Sequence, residues 1–168
     1  KIGLISILSG ASAVKGLTQA TSIKFSLKWP NDIIINKLKV GGILIESKEI
    51  NGVMNVVVGI GINVNETSFN DDISHSATSI RINNNGELIE REYLCSSILN
   101  QFESLYQATQ ENWIPEWNKY CNHMSSSIKF HNNRKLYNGV FNGISENGDA
   151  NIMVDNSLEV FSSGIVKL

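Results

Sequence analysis

Apolar residues open the chain at three- and four-residue steps: Leu4, Ile7, Leu8, Ala11, Val14 and Leu17. That spacing places them on one face of an amphipathic helix. Thr18 to Ser22 are poor helix formers and close it. The pattern then shortens. Residues 25–29, 33–35 and 40–46 read as extended segments, the second and third joined by the polar connection Asn36-Lys37-Leu38-Lys39. A turn at 49–52 leads into residues 53–65, where Val56, Val57 and Val58 predict a strand buried on both faces or nearly so. These segments predict a mixed β-sheet with the first helix packed against it.

Residues 65–75 are a polar loop, and the segment after it, 77–82, has no clear period. Helical spacing returns over 87–106, with Leu94, Ile98, Phe102, Leu105 and Tyr106 on one face. A further helix carries Trp113, Trp117, Tyr120, Cys121 and Met124, with Pro115 in its first turn, where a missing N–H costs little. After Ser125-Ser126-Ser127 short alternating segments appear, cut by turn signals at Asn132-Asn133, Asn147-Gly148 and Asn156. They predict a small barrel of about five strands over residues 125–168. So short a piece buries little core alone, so it is expected to lean on residues 1–124.

At 168 residues the chain can form one domain with a core, plus a small appendage. Its 42% apolar and 18% charged residues are ordinary for a globular protein. A net charge of −2 gives no electrostatic case for binding nucleic acid or an anionic membrane. No apolar run approaches the roughly 20 residues a bilayer span needs. The opening stretch has helical periodicity instead of the solid apolar block of a secretion signal. Cys95 and Cys121 read as small buried hydrophobes. His75, His123 and His131 stand far apart with no second ligand at metal spacing, so no protein-bound structural metal is expected.

Three short motifs carry candidate chemistry. In Lys28-Trp29-Pro30-Asn31-Asp32 a turn needs only the last three residues. Lys28, at the end of an apolar strand beside a rigid turn, is either a surface lysine or a cation placed to hold an anionic group. Gly41-Gly42 opens an apolar strand, as a bulge or as bare backbone for a flat ligand. Gly59-Ile60-Gly61-Ile62-Asn63 ends a strand. No helix follows at the spacing of a dinucleotide fingerprint. Its small residues either face a neighbouring segment or let a nucleotide approach, with the Asn63 amide offered to a base.

In this order the three motifs closely resemble the biotin protein ligases, and the resemblance extends over nearly the whole chain. The helix before the turn, the Ala77-Thr78-Ser79-Ile80 segment and the later helices fit that catalytic domain, and the tail resembles the family's SH3-like barrel. The resemblance implies an α+β biotin–lipoate ligase fold related to class II synthetases, incomplete here. It implies ATP-dependent attachment of biotin, through biotinyl-5′-AMP and with Mg2+, to a lysine of a biotin carboxyl carrier protein in the cytoplasm. Lys28 becomes the catalytic cation, also touching biotin. Gly41 and Gly42 would wall the biotin. Asn31, Gly61 and Asn63 would serve the nucleotide. Family members carry an upstream Gly- and Arg-rich loop that this chain does not contain. The chain is therefore expected to be a piece of a longer protein, poorly active alone and prone to dimerise. A lipoate or octanoyl transferase-like enzyme and a non-catalytic binding fragment are the alternative readings.

Overall fold

The computed structural model describes residues 2–132 and 135–167. Helix α1 (Ile2–Thr21) is followed by four strands: β1 (Ser26–Lys28), β2 (Asp32–Ile35), β3 (Leu38–Ile50) and β4 (Val53–Ile62). Short helices α2 (Asp71–Ser74) and α3 (Ile80–Asn83) precede the long α4 (Arg91–Gln107), a 3-10 turn (Gln110–Asn112) and α5 (Trp113–Tyr120). Five strands close the chain: β5 (Ser127–Asn132), β6 (Lys135–Ile144), β7 (Ala150–Val154), β8 (Ser157–Phe161) and β9 (Ile165–Lys167).

The first sheet runs β1-β2-β3-β4, each pair antiparallel. Parallel pairing is confined to two isolated bridges, Leu27 with Cys121 and Lys39 with Ala77. Residues 36–37 and 51–52 all have positive φ, at 48°, 72°, 53° and 76°. That conformation turns an antiparallel pair tightly and suits Asn36 and Asn51-Gly52, while Lys37 takes it without such a preference.

Helix α1 is buried on more than its apolar stripe. Ser9, Gly10, Ser12 and Ala13 are covered as well as Leu4, Ile7, Leu8, Ala11, Val14 and Leu17. It lies between the sheet and α4 and α5, and small residues let neighbours approach. A Cβ at Gly16 would fall 2.7 Å from the Ile98 backbone of α4. In α4, Leu94, Ile98 and Leu105 are buried, while Tyr106 is exposed. Helix α5 ends at Tyr120, so Cys121 and Met124 lie beyond it, and Cys121 instead bridges to β1.

Two expectations about burial are corrected. Strand β4 is not buried: Val53, Met54, Val56 and Val57 are all exposed. Among the described strands it is the sheet's edge. β-Branched residues report strand propensity, and burial depends on what lies above. Cys95 is exposed on α4 and Cys121 is only partly covered.

The second sheet has order β8-β7-β6-β5-β9, antiparallel throughout. Its inward residues Phe130, Phe141, Ile152, Phe161 and Val166 are buried. The expected strand number is present, but β8 and β9 are not paired with each other, so the described residues do not close a barrel. The Asn156 turn is seen, with positive φ at Asp155 and Asn156. The Asn133 half of the Asn132-Asn133 signal lies outside the described residues. One apolar cluster runs from α1 through Trp29 and Trp117 to Phe130 and Phe141, joining the two sheets. The Trp29 indole N–H donates to the Gly148 carbonyl (3.1 Å), tying the turn after β1 to the β6–β7 loop.

Candidate active site

Register builds the site. Lys28 faces Asp32 across the β1–β2 turn, Asp32 faces Gly42 on β3, and Gly42 faces Gly61 on β4. A bulge between Ile33 and Ile34 sets Lys39 opposite Ile34. The turn is braced from both sides: the Ile43 N–H donates to the Asn31 carbonyl (2.9 Å), and the Asn31 side-chain amide donates to the Ile43 carbonyl (2.8 Å).

Asn31, Gly41, Gly42, Gly61 and Asn63 line one cleft of about 820 Å3, walled on its far side by Ile73, Ser76 and Ala77. Five of the six residues singled out in the sequence thus meet in one place. The sixth, Lys28, does not line that cleft. It borders a smaller cavity of about 240 Å3, between the turn and Gly164, Ile165 and Val166 of the terminal sheet. Asn31 borders both spaces.

The glycines there have different reasons. A Cβ at Gly41 would lie 2.5 Å from the Gly61 carbonyl oxygen, so packing of β3 on β4 alone requires glycine. At Gly42 the nearest atoms would be the Lys39 stem (3.4 Å) and the Asn31 carbonyl (3.5 Å). At Gly61 a Cβ would meet nothing within 4 Å, leaving backbone bare beside the cleft.

Asn63 is held by three bonds. Its N–H donates to Val40 (2.7 Å), its carbonyl accepts from Ile80 (3.0 Å), and its side-chain amide donates to the Thr78 carbonyl (3.1 Å). One of its two amide N–H groups is therefore spent on the loop before α3, leaving the other as a donor and its oxygen as an acceptor. Ser79 caps α3, accepting from the Ile82 N–H (3.1 Å) and donating to the Glu66 carbonyl (2.6 Å).

Sequence reasoning treated Asp32 as a turn residue and gave Lys39 no role. Both belong to the site. The Asp32 carboxylate takes Lys28 Nζ on one oxygen (2.9 Å) and Lys39 Nζ on the other (2.5 Å). Burial pushes the Asp32 carboxyl up, but hydrogen bonds from Lys39 and Lys28 and their charges outweigh it, and its pKa lies below the ordinary value. A charged residue opening an apolar strand, with Lys37 two positions before it, was the available signal for Lys39. Behind Lys28, His123 is fully buried against Phe141. Burial first, and then the Lys28 charge, pull its pKa down to about 4. Its neighbour Cys121 (Sγ to Nδ1 3.5 Å) is pushed up to about 11 by burial, partly offset by backbone hydrogen bonds. The pair is a neutral imidazole and a thiol at neutral pH.

Residues 2–63, which contain all three motifs, match the model of the biotin/lipoate A/B protein ligase family. The bifunctional ligase/repressor BirA of Bacillus spizizenii is 34% identical over 146 residues, covering 83% of this chain and 43% of that protein. Over most of its length the chain is thus similar to biotin protein ligases. It spans less than half the length of the curated Bacillus relatives it matches. Among solved biotin protein ligases, the apo Aquifex aeolicus enzyme superposes with a TM-score of 0.86 at 25% identity, over 99% of this chain and 75% of that one. The same enzyme in complex with biotin and ATP gives a TM-score of 0.81 at 24% identity, over 99% and 71%. At that identity the likeness to the biotin protein ligase complex is one of fold.

Proposed function

We propose that the protein joins biotin to a lysine of a biotin carboxyl carrier protein, using ATP. In the first step a biotin carboxylate oxygen attacks the α-phosphorus of ATP. The bond from that phosphorus to the bridging oxygen breaks, and pyrophosphate leaves, giving biotinyl-5′-AMP. In the second the carrier's lysine amine attacks the carbonyl carbon. The carbonyl–oxygen bond to phosphate breaks, AMP leaves, and the amine gives up a proton. Both transition states place negative charge near the carboxyl–phosphate junction, where a fixed cation lowers the barrier. We assign that cation to Lys28.

The observation that carries this reading is the cleft itself. Bare backbone at Gly61, the acceptor of Asn63 and Lys39 line it, and Lys39 is tied through the Asp32 carboxylate to Lys28, inside the segment that matches the family model. Gly61 and Asn63 would meet the nucleotide, with the Asn63 oxygen accepting from an adenine amine. Gly42 and Gly41 would back the biotin, and Asn31 would border the phosphates. Mg2+ finds no built site: both oxygens of Asp32 are occupied by lysines, and no group of three His, Cys, Asp or Glu is placed for a metal among the described residues. In this reading the ion comes on the phosphates of ATP. Residues 1–124 would form the catalytic part and 125–168 the tail unit that supports it, in a cytoplasmic protein that can pair with itself through β4.

The test uses the intact gene product with biotin, ATP and a purified carrier domain. The expected result is biotin-dependent pyrophosphate release and carrier labelling that needs the acceptor lysine. Pyrophosphate release that ignores biotin, or that follows lipoate or octanoate instead, would reject the assignment.

A further inference from the structure

Strand β1 carries Lys28, yet it is three residues long and stands at an edge of the first sheet. Strand β2 supports one side of it. The other side is held by the chain that follows α5. Leu27 and Cys121 form a parallel bridge, and the Asn122 N–H donates to the Leu27 carbonyl (3.1 Å). The same segment is then fastened to the tail sheet: the Ser125 N–H donates to the Phe141 carbonyl (2.8 Å), and the Phe141 N–H donates to the Ser126 carbonyl (3.0 Å). Between these two attachments stands His123, fully buried, its ring 4.2 Å from that of Phe141 and edge-on to Trp117.

A buried imidazole is costlier than a phenyl ring unless its nitrogens are satisfied. Nδ1 lies 2.9 Å from Asn122 Oδ1, an atom that can only accept, so Nδ1 carries the proton and donates. Nε2 is then left as the acceptor, with the Cys121 thiol as its neighbour at 3.9 Å. Burial and the charge of Lys28 both favour this neutral ring. A polar ring is thus spent on the side chain of the one residue whose backbone N–H grips β1 beside Lys28.

We propose that His123 is a positioning residue for Lys28: its Nδ1–H holds the Asn122 side chain, so that the Asn122 backbone N–H stays on Leu27 and fixes the strand from which Lys28 projects. The inference rests on the ligase reading above. His123 does not line the cleft formed by Gly61 and Asn63, so it acts on the direction of Lys28 and hence on turnover, leaving substrate affinity alone. A displacement of about 1 Å at a reacting group can cost on the order of a hundred-fold in rate, so a small slackening of β1 is enough to be seen. A residue that merely fills space would tolerate another ring of similar size.

The experiment compares wild type, His123→Phe, His123→Asn and Asn122→Ala in the intact gene product. Phe keeps a ring and loses the donor. Asn keeps an N–H where the ring has Nδ1 and loses the ring. Asn122 is exposed, so its truncation removes the acceptor without opening the core. Values of kcat and KM are read from biotin-dependent pyrophosphate release, and exchange of the residue 122 amide proton is read by NMR. His123→Phe and Asn122→Ala should each lower kcat about ten-fold, with KM for ATP and for biotin within about two-fold. Both should speed exchange at residue 122, and the double variant should be no worse than either single one, because both break the same bond. His123→Asn should lower Tm through the cavity left against Phe141, yet keep kcat within about three-fold of wild type below the melt. Wild-type kcat in His123→Phe or in Asn122→Ala would overturn the proposal, as would a loss of kcat in His123→Asn equal to that in His123→Phe; each leaves the ligase reading standing. Wild type without biotin-dependent pyrophosphate release would instead overturn the ligase reading, and amide exchange at residue 122 would still decide whether His123 holds the strand.

Discussion

A methyl group added at Gly41 would sit 2.5 Å from the Gly61 carbonyl, whereas one added at Gly61 would meet nothing within 4 Å. Gly41→Ala is therefore expected to cost about 1–3 kcal/mol of stability, as overpacking does, read as a lower urea midpoint. Gly61→Ala should leave that midpoint within error and raise the KM for ATP, because only a ligand would feel the methyl. Equal loss of stability in both would show that the open space over Gly61 is not real. Lys28→Ala is expected to slow adenylate formation at least ten-fold, since removing a group of this kind typically costs about 2.7–4 kcal/mol. Lys28→Arg should be impaired too, because a planar, delocalised fork does not replace the compact point charge of an ammonium. Near-normal pyrophosphate release in the alanine variant would remove Lys28 from the mechanism.

Elements with a strong period were legible in the sequence: α1, β1, β2, α4 and the five tail strands stand close to where pattern placed them, whereas β3 runs on to Ile50 and α5 stops at Tyr120, short of Cys121 and Met124. What pattern could not show was context. Val56–Val58 had the composition of a buried strand, yet Val56 and Val57 are exposed on an edge strand, because nothing local says which strand is last in a sheet. Five of the six site residues share a cleft, yet Lys39 and the double duty of Asp32 depend on a bulge at Ile33/Ile34 that alternation does not reveal. The segment between α5 and β5 carries its own testable consequence. His123 titrates near 6.5 when unfolded and about 4 when folded. Between those values the unfolded chain binds a proton that the fold refuses. Stability should thus be whole above pH 6.5 and fall as pH drops toward 4, by up to about 3 kcal/mol. Urea midpoints measured from pH 7.5 to 4.5 check this. An unchanged slope in His123→Phe would trace the loss to other groups.

Across the molecule, apolar surface is unevenly spread. Leu44, Ile50, Val53, Met54 and Val57 are exposed on one long hairpin whose outer strand has no further partner among the described residues. An unpaired edge and an apolar face of this kind promote association. The 168-residue chain by itself is expected to elute above the 18.6 kDa of a monomer, increasingly so with concentration. Val53→Lys with Val57→Lys should return it toward monomer. Monomeric elution of the unmodified chain at high concentration would argue that the hairpin is covered by its own molecule.

The bond from Trp29 to Gly148 spans 119 positions. Every residue assigned to the ligands has left the ribosome long before its partner carbonyl is made. A message cut short after residue 144 would still encode Lys28, Asn31, Asp32, Lys39, Gly61 and Asn63, yet the indole that steadies their turn would have no acceptor. Stop codons placed between residues 126 and 147 should therefore behave as losses of function, although a map of site residues would score them as harmless.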